Sequence, residues 1–173
     1  MKKIIILIPV FNDWESLEKL ILEINENIKE FKKIEIECLV INDASTINQP
    51  ILLKPSFIKS IQILNMRENR GHARCNAFGI RYVTQNRDFD YLILMDGDGE
   101  DRPIELKKLI NKILEDPEKS VVAKRIKRSE GLFFQFLYFM HKLITLIFTG
   151  KKINFGNYSC LTKKDVKKLS TQA

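Results

Sequence analysis

The chain has 173 residues, of which 45% are apolar, and a formal net charge of +7 at neutral pH. This length and apolar content suffice for one hydrophobic core, which predicts a single domain. Residues 120–173 hold 11 Lys or Arg and 2 Asp or Glu, against 18 and 20 in residues 1–119. The basic third favours an anionic partner, either nucleic acid or an acidic membrane surface, with a merely solubilising surface as an equal alternative. The three cysteines have no paired or zinc-binding spacing, which indicates a reduced, cytosolic protein.

Apolar runs alternate with helical repeats in the first 95 residues. The first run shows no small-residue cleavage site after it, so it is interpreted as a strand and not as a signal peptide. Pro9 to Asp13 are predicted to form a loop, with Asn12 and Glu15 capping the helix that follows. Periodicity predicts strands at residues 4–8, 36–41, 61–64 and 91–95, and helices at 17–31 and 73–85.

The fourth strand runs into the most acidic stretch of the chain, which holds Asp96, Asp98, Glu100 and Asp101. Carboxylates this close repel each other, so a bound cation would keep them ionised, and oxygen ligands favour Mg²⁺, Mn²⁺ or Ca²⁺ over Zn²⁺. Gly97 and Gly99 let the backbone turn and let a ligand come close. A solvated turn is the alternative for a lone Asp-x-Asp. An EF-hand is excluded, because its sixth and twelfth positions would be Asp101 and Lys107.

The order of elements predicts a mainly parallel sheet with helices on both faces. Ligands of such sheets bind beyond the carboxyl ends of the strands. Four strand ends carry polar clusters: Asn12-Asp13, Asn42-Asp43, Asn69 to His72, and Asp96 to Asp101. We therefore expect one common site at this edge, with His72 serving as a helix-start residue and not as a catalyst.

After the acidic stretch, a helix is predicted from Pro103 to about Asp116, followed by a short strand at 120–123. Residues 132–148 are the most hydrophobic segment, but Lys142 within it would cost about 2.5 to 3.5 kcal/mol at the centre of a bilayer. We expect an amphipathic helix at a membrane interface or against a partner, with a core helix as the alternative. A strand at 155–161 and a lysine-rich helix follow. Residues 1–130 are thus predicted as the α/β core, and residues 131–173 as a basic membrane-interface or acceptor segment of the same domain.

The chain resembles the inverting family 2 glycosyltransferases, and within them the polyprenyl-phosphate sugar transferases such as the dolichyl-phosphate mannose synthases. The likeness extends through Arg125-x-x-Arg128-x-Glu130 and Phe155 to Ser159. It implies the Rossmann-like GT-A fold. The segments that carry it are Ile8-Pro-Val-Phe-Asn-Asp13, Val40-Ile-Asn-Asp-Ala-Ser-Thr46, Asn69-Arg-Gly-His-Ala-Arg74 and Met95-Asp-Gly-Asp-Gly-Glu-Asp-Arg-Pro103.

The resemblance also implies roles for individual residues. Asp43 would bond the nucleotide base, and a Mg²⁺ or Mn²⁺ ion would be held by Asp96, Asp98 and Glu100. The catalytic group would comprise Asp98, the phosphate-contacting Arg125 and Arg128, and Asp101 as base if the acceptor is a hydroxyl. A solvated basic loop is an equal alternative for the two arginines. The implied nucleotide-sugar site consists of Pro9, Val10, Phe11, Asn12, Asp13, Asp43, Asn69, Gly71, Arg74, Asp96, Gly97 and Asp98.

The function implied by the resemblance is transfer of a sugar from a UDP- or GDP-sugar to a lipid-phosphate or glycan acceptor, polyprenyl phosphate being favoured, with inversion. The protein is then expected on the inner face of the cytoplasmic membrane, without a nucleic-acid partner, and homo-oligomer formation stays open. Ala44 departs from the family's glycine. Similar proteins continue beyond residue 173, so the chain is expected to be either a fragment or a shortened relative. The alternatives are a catalytically impaired scaffold of the same fold, or a haloacid-dehalogenase-type phosphatase with Asp96 as nucleophile.

Overall fold

The structure is a computed structural model that describes residues 1–123 and 158–171. Residues 1–122 and 158–171 form one compact unit. Within this part of the chain, no helix combines the length and apolar character needed to cross a bilayer. Arg125, Arg128 and the predicted helix at 132–148 lie outside the described residues. The described elements are β1 (Lys2–Val10), α1 (Trp14–Ile28), β2 (Ile34–Asn42), β3 (Ser60–Asn65), α2 (His72–Asn86), β4 (Tyr91–Leu94), α3 (Pro103–Glu115), β5 (Val121–Val122), β6 (Ser159–Thr162) and α4 (Lys163–Ser170).

One sheet of six strands, in the order β3-β2-β1-β4-β6-β5, organises this unit. β1 is parallel to β2 and β4, and β2 is parallel to β3, which confirms the predicted mainly parallel sheet. β6 lies antiparallel between β4 and β5. β6 belongs to the C-terminal segment that was predicted as part of the same domain, and it is an interior strand of this sheet.

Helices cover both faces of the sheet. The chain moves outward from β1 to β2 and β3 and then returns to β4 on the other side of β1, so right-handed crossovers place α1 and α2 on opposite faces. α3 packs against α1, and α4 packs against α2. Alternate residues of β1 therefore face different helices, and Ile4, Ile6 and Leu7 are all fully buried. Burial on both faces is why β1 is a continuous apolar run.

Pro9 and Val10 belong to β1, so the prediction that both lie in a loop is wrong. β4 ends at Leu94, which is paired with Leu7, so Pro9 lies beyond the end of the β1–β4 ladder. A proline costs no ladder hydrogen bond at such a position, because its missing N–H has no strand to face.

The start of α1 also differs from the prediction. Its cap is Asp13, whose carboxylate accepts a hydrogen bond from the backbone N–H of Ser16 at 3.3 Å. Glu15 instead pairs with Lys19 one turn later. Asn12 instead accepts hydrogen bonds from the segment that follows β2.

The three cysteines are buried and free of disulfides, as expected of reduced interior residues. Burial raises the pKa of the Cys38, Cys75 and Cys160 thiols to about 12 in each case. A thiol with such a pKa is not ionised at neutral pH and is therefore a poor nucleophile.

Candidate functional site

The predicted polar clusters meet at one edge of the sheet. β1 lies between β2 and β4, and all three strands point their carboxyl ends in the same direction. The connection from β1 leads to one side of the sheet, and β4 lies on the other side of β1. The strand order therefore reverses between β1 and β4, and parallel sheets bind ligands at such a topological switch point. Residues 11–13, 43–47 and 95–101, together with the start of α2, form this edge, which we call the rim.

Asp43 follows β2 and is 4% exposed. Its Oδ1 accepts a hydrogen bond from the backbone N–H of Arg70 at 2.7 Å, and its Oδ2 accepts one from Gly71 at 2.8 Å. Hydrogen bonds from two backbone amides stabilise a carboxylate in a buried position. Gly71 has a φ of 83°, a conformation that favours glycine. Asp43 thus fixes the turn that opens α2.

Asn12 joins the ends of β1 and β2. Its Oδ1 accepts hydrogen bonds from the backbone N–H groups of Thr46 at 2.7 Å and Ile47 at 3.1 Å, and its own N–H donates to Ser45 Oγ at 2.9 Å. Asn12 has a φ of 60°, which asparagine tolerates better than most residues. The side chain of Asn12, which was predicted to bind the nucleotide-sugar, therefore joins the two strand ends of the rim.

The acidic stretch after β4 is a closed turn. Asp101 is 6% exposed, and its Oδ2 accepts a hydrogen bond from the backbone N–H of Asp96 at 2.9 Å. Asp98 Oδ1 accepts one from the N–H of Glu100, also at 2.9 Å. Asp98 and Glu100 are exposed. The turn thus buries Asp101 and presents Asp98 and Glu100 to solvent.

Gly97 lets this turn contact β1. A Cβ atom at Gly97 would lie 2.8 Å from the carbonyl oxygen of Pro9 and 3.4 Å from Ile8 Cγ2. The close approach that Gly97 permits is therefore between this turn and the backbone of β1. Pro9 and Gly97 fix the distance between two neighbouring strand ends.

His72 is a site residue that sequence reasoning missed. It is the first residue of α2, and its Nε2 lies 2.6 Å from Asp96 Oδ1. The hydrogen bond to Asp96 raises the pKa of His72; burial opposes this, and the charges of Asp96, Asp98 and Asp101 add to it. The sequence places a histidine at the start of a helix on the acidic edge of the sheet, but it does not indicate which carboxylate that histidine contacts.

The three predicted metal ligands do not form a ready-made set. Among the described residues, no group of three or more His, Cys, Asp or Glu side chains is arranged to hold a metal ion. Asp96 is instead turned toward His72, and one oxygen of Asp98 accepts a backbone hydrogen bond. Mg²⁺ is commonly bound by one or two carboxylates together with substrate phosphates. Asp96 and Asp98, two carboxylates on one turn, fit an ion whose coordination a diphosphate completes.

The remaining predicted residues surround these groups. Phe11 lies at the end of β1 with 46% of its surface exposed. Asn69 and Arg74 are exposed on the turn before α2 and in its first turn. Tyr158 donates from its hydroxyl to the Arg102 carbonyl oxygen at 3.4 Å, which joins the segment before β6 to the start of α3.

Comparison with known proteins gives a consistent result. A model described as glycosyl transferase family 2 matches residues 5–165. An uncharacterized protein of Methanocaldococcus jannaschii is 24% identical over 163 residues, which are 90% of this chain and 68% of that protein.

Two solved structures have the same fold over most of this chain. A mannosyltransferase of Pyrobaculum calidifontis, in complex with GDP-Man and Mn²⁺, matches with a TM-score of 0.59 and 15% identity over 96% of this chain and 46% of that one. Glucosyl-3-phosphoglycerate synthase of Mycobacterium tuberculosis, in complex with UDP, matches with a TM-score of 0.60 and 12% identity over 94% and 57%. The chain thus spans about half the length of the solved structures that it matches.

Proposed function

Because the chain belongs to glycosyl transferase family 2 and has the GT-A fold, we propose that it is a metal-dependent glycosyltransferase that moves a sugar from a UDP- or GDP-sugar to polyprenyl phosphate with inversion. The observation that carries the proposal is the rim, where Asp43 follows β2 while Asp96 and Asp98 follow β4, on either side of β1. A nucleotide-sugar lying across these ends would meet one carboxylate at its base and two at its diphosphate. The GDP-Man and UDP in the two structural neighbours support this class of donor.

Asp43 is proposed to recognise the base. Each of its oxygens accepts one backbone N–H, and a carboxylate oxygen has a second lone pair that can accept another. Uracil N3–H and guanine N1–H are donors, whereas cytosine and adenine present acceptors at the corresponding atoms. An acceptor-only side chain therefore favours uridine or guanosine donors. The exposed ring of Phe11 offers a face for stacking.

Asp96 and Asp98 are proposed to hold Mg²⁺ or Mn²⁺ together with the donor diphosphate, with Glu100 as a further ligand. The ion, when bound, neutralises the charge that grows on the departing diphosphate. Asp96 Oδ1 contacts His72 and Asp98 Oδ1 accepts the Glu100 N–H, so the proposed ligands to the ion are the other oxygen of each carboxylate.

The acceptor step needs little help from a base. An oxygen of a lipid phosphate is already anionic, so it can form a bond to the anomeric carbon while the bond from that carbon to the diphosphate oxygen breaks. The electron pair leaves with the nucleoside diphosphate, and attack from the opposite side inverts the carbon. Arg125 and Arg128 are proposed to contact the phosphates. Asp101 is the proposed base if the acceptor is a hydroxyl. A lipid acceptor would place the protein on the inner face of the cytoplasmic membrane.

A transfer assay tests this proposal. The full chain is incubated with UDP-glucose or GDP-mannose, polyprenyl phosphate and Mn²⁺, and the lipid product is measured by mass spectrometry. We expect a product with one donor, no product in EDTA, and at least about a hundredfold less product with Asp98→Ala.

The matched control is Asp88→Ala. Asp88 precedes β4 at the opposite edge of the sheet and makes only exposed ion pairs, so its loss should leave transfer unchanged. Nucleotide-dependent thermal stabilisation without transfer would favour the alternative hypothesis, a catalytically impaired scaffold of the same fold. Equal activity of Asp98→Ala and wild type would contradict the assignment of the site.

A further inference from the structure

The helices on the two faces of the sheet differ in charge. α2 and α4 together hold six basic residues and one acidic residue, whereas α1 and α3 hold four basic and six acidic residues. The one acid on the basic side, Asp165, accepts hydrogen bonds from Ser120 Oγ at 2.6 Å and, through its backbone N–H, donates to Thr162 Oγ1 at 3.3 Å. Asp165 also pairs with Lys168, and Asp88, just before β4, pairs with Lys163. With both acids counted against the six basic residues, this face keeps an excess of positive charge.

Apolar groups are interleaved with these charges. Arg74, Phe78 and Arg81 are exposed and follow the i, i+4, i+7 spacing of one helical stripe on α2. Phe78 is 39% exposed and stacks on Tyr82, and Leu169 of α4 is also 39% exposed. We call this the α2–α4 surface; its exposed members are Arg74, Phe78, Arg81, Lys164, Lys167, Lys168 and Leu169.

We propose that the α2–α4 surface docks on an anionic lipid membrane. Each Lys or Arg near such a membrane is attracted to its negative surface potential, and side chains such as Phe78 and Leu169 can enter the interface. The direction of α2 adds a functional reason, since its first residue, His72, touches the rim through Asp96. Docking by this face would bring the rim close to lipid phosphates. This last step rests on the proposed function, whereas the docking itself does not.

The opposite side of the sheet is less suited to an anionic surface. A loop between β2 and β3 exposes apolar side chains, with Ile51 91% and Leu53 76% exposed. However, the backbone N–H of Phe57 in that loop donates to Asn25 of α1 at 2.9 Å. The loop therefore lies beside α1. This helix carries four glutamates and one lysine, and its net negative charge would be repelled by acidic lipid.

Vesicle co-sedimentation of the full chain, without any nucleotide, tests the docking independently of sugar transfer. The vesicles contain phosphatidylcholine alone, or equal parts of phosphatidylcholine and phosphatidylglycerol. We expect binding to the mixed vesicles that weakens with salt, and at least about tenfold weaker binding after the charge reversals Lys164→Glu and Lys167→Glu. The matched control reverses Lys108 and Lys112 of α3, which changes the net charge equally on the other face and should alter binding by less than about twofold.

Phe78→Ser supplies a second variant that leaves the charge unchanged, and it should weaken binding several-fold while circular dichroism stays that of the wild type. Equal losses from the two charge-reversed pairs would overturn the proposal, because they would show a response to net charge alone. Equal binding to neutral and mixed vesicles would also overturn it, as would the absence of binding. A single-stranded RNA that binds more tightly than the vesicles and depends on Lys164 and Lys167 would assign the surface to nucleic acid instead.

Discussion

At the scale of single residues, Ala44 holds a backbone conformation that suits glycine better. Its φ is 55°, and a residue with a Cβ pays about 1 to 2 kcal/mol there. Ala44→Gly removes this strain while giving the unfolded chain more freedom. We expect the free energy of unfolding in urea to be unchanged or to rise by up to about 1 kcal/mol. The control, Ala77→Gly in the middle of α2, should lose about 1 kcal/mol. Equal losses at both positions would contradict the strain at Ala44.

The close packing of Gly97 against β1 gives a second prediction. Gly97→Ala places a Cβ 2.8 Å from the Pro9 carbonyl oxygen, which is backbone and cannot easily move. We expect urea denaturation to show a loss of about 1 to 3 kcal/mol, typical of overpacking. Gly99→Ala gives the comparison: an added Cβ there meets no atom within 4 Å, so its loss of about 1 to 2 kcal/mol comes from the φ of 82° alone, whereas the loss at Gly97 comes from contact. A Gly97→Ala protein as stable as the wild type would show that the two strand ends are not in contact.

His72 should make stability depend on pH. Its pKa in the folded protein is raised by Asp96, so its contribution is complete below the unfolded pKa of about 6.5 and is lost as the pH rises through the folded pKa. In EDTA, His72→Gln should therefore lower Tm more at about pH 5.5 than at about pH 9. Thermal unfolding followed by circular dichroism measures both. The same difference in Tm at the two pH values would rule out the ion pair with Asp96.

At the scale of elements, the turn before α2 depends on one carboxylate. In Asp43→Asn, an amide N–H₂ replaces one of the two oxygens that accept the N–H groups of Arg70 and Gly71. We expect a loss of about 1 to 3 kcal/mol and faster hydrogen exchange at both amides. Asp13→Asn is the matched control, because asparagine caps a helix as well as aspartate does. Unchanged exchange at Arg70 and Gly71 would contradict this role of Asp43.

The elements themselves were largely predictable, because strands buried on both faces and helices buried on one leave clear patterns. β4 was predicted at residues 91–95 and spans Tyr91–Leu94. The misplaced end of β1 has a physical cause: proline usually interrupts a strand, and only the early end of neighbouring β4 makes Pro9 acceptable. Local sequence carries no information about where a partner strand stops. The use of Asn12 as a clamp, and not as a cap, has the same origin, since its partners are more than thirty residues away.

At the scale of the whole molecule, the shared rim was predictable because parallel strands place their carboxyl ends on one edge. The hydrogen-bond partners of the rim side chains were not predictable. The sequence does not indicate that Asp43 is buried under two amides, that Asp96 turns toward His72, or that Asp101 closes its own turn. The contacts of Asp43 and Asp96 join segments more than twenty residues apart, whereas that of Asp101 lies within one turn. The contact of Asp96 with His72 explains why the predicted metal ligands are not a preformed set.

The central claim is that this rim binds a nucleoside diphosphate with a divalent ion. Isothermal titration of the full chain with UDP and with GDP, in Mn²⁺ or in EDTA, tests it most directly. We predict that one nucleotide binds in Mn²⁺, that EDTA or Asp98→Ala weakens its binding at least about tenfold, and that Asp88→Ala leaves it unchanged. Binding that is as strong in Asp98→Ala as in the wild type, or the absence of binding by either nucleotide, would contradict the claim.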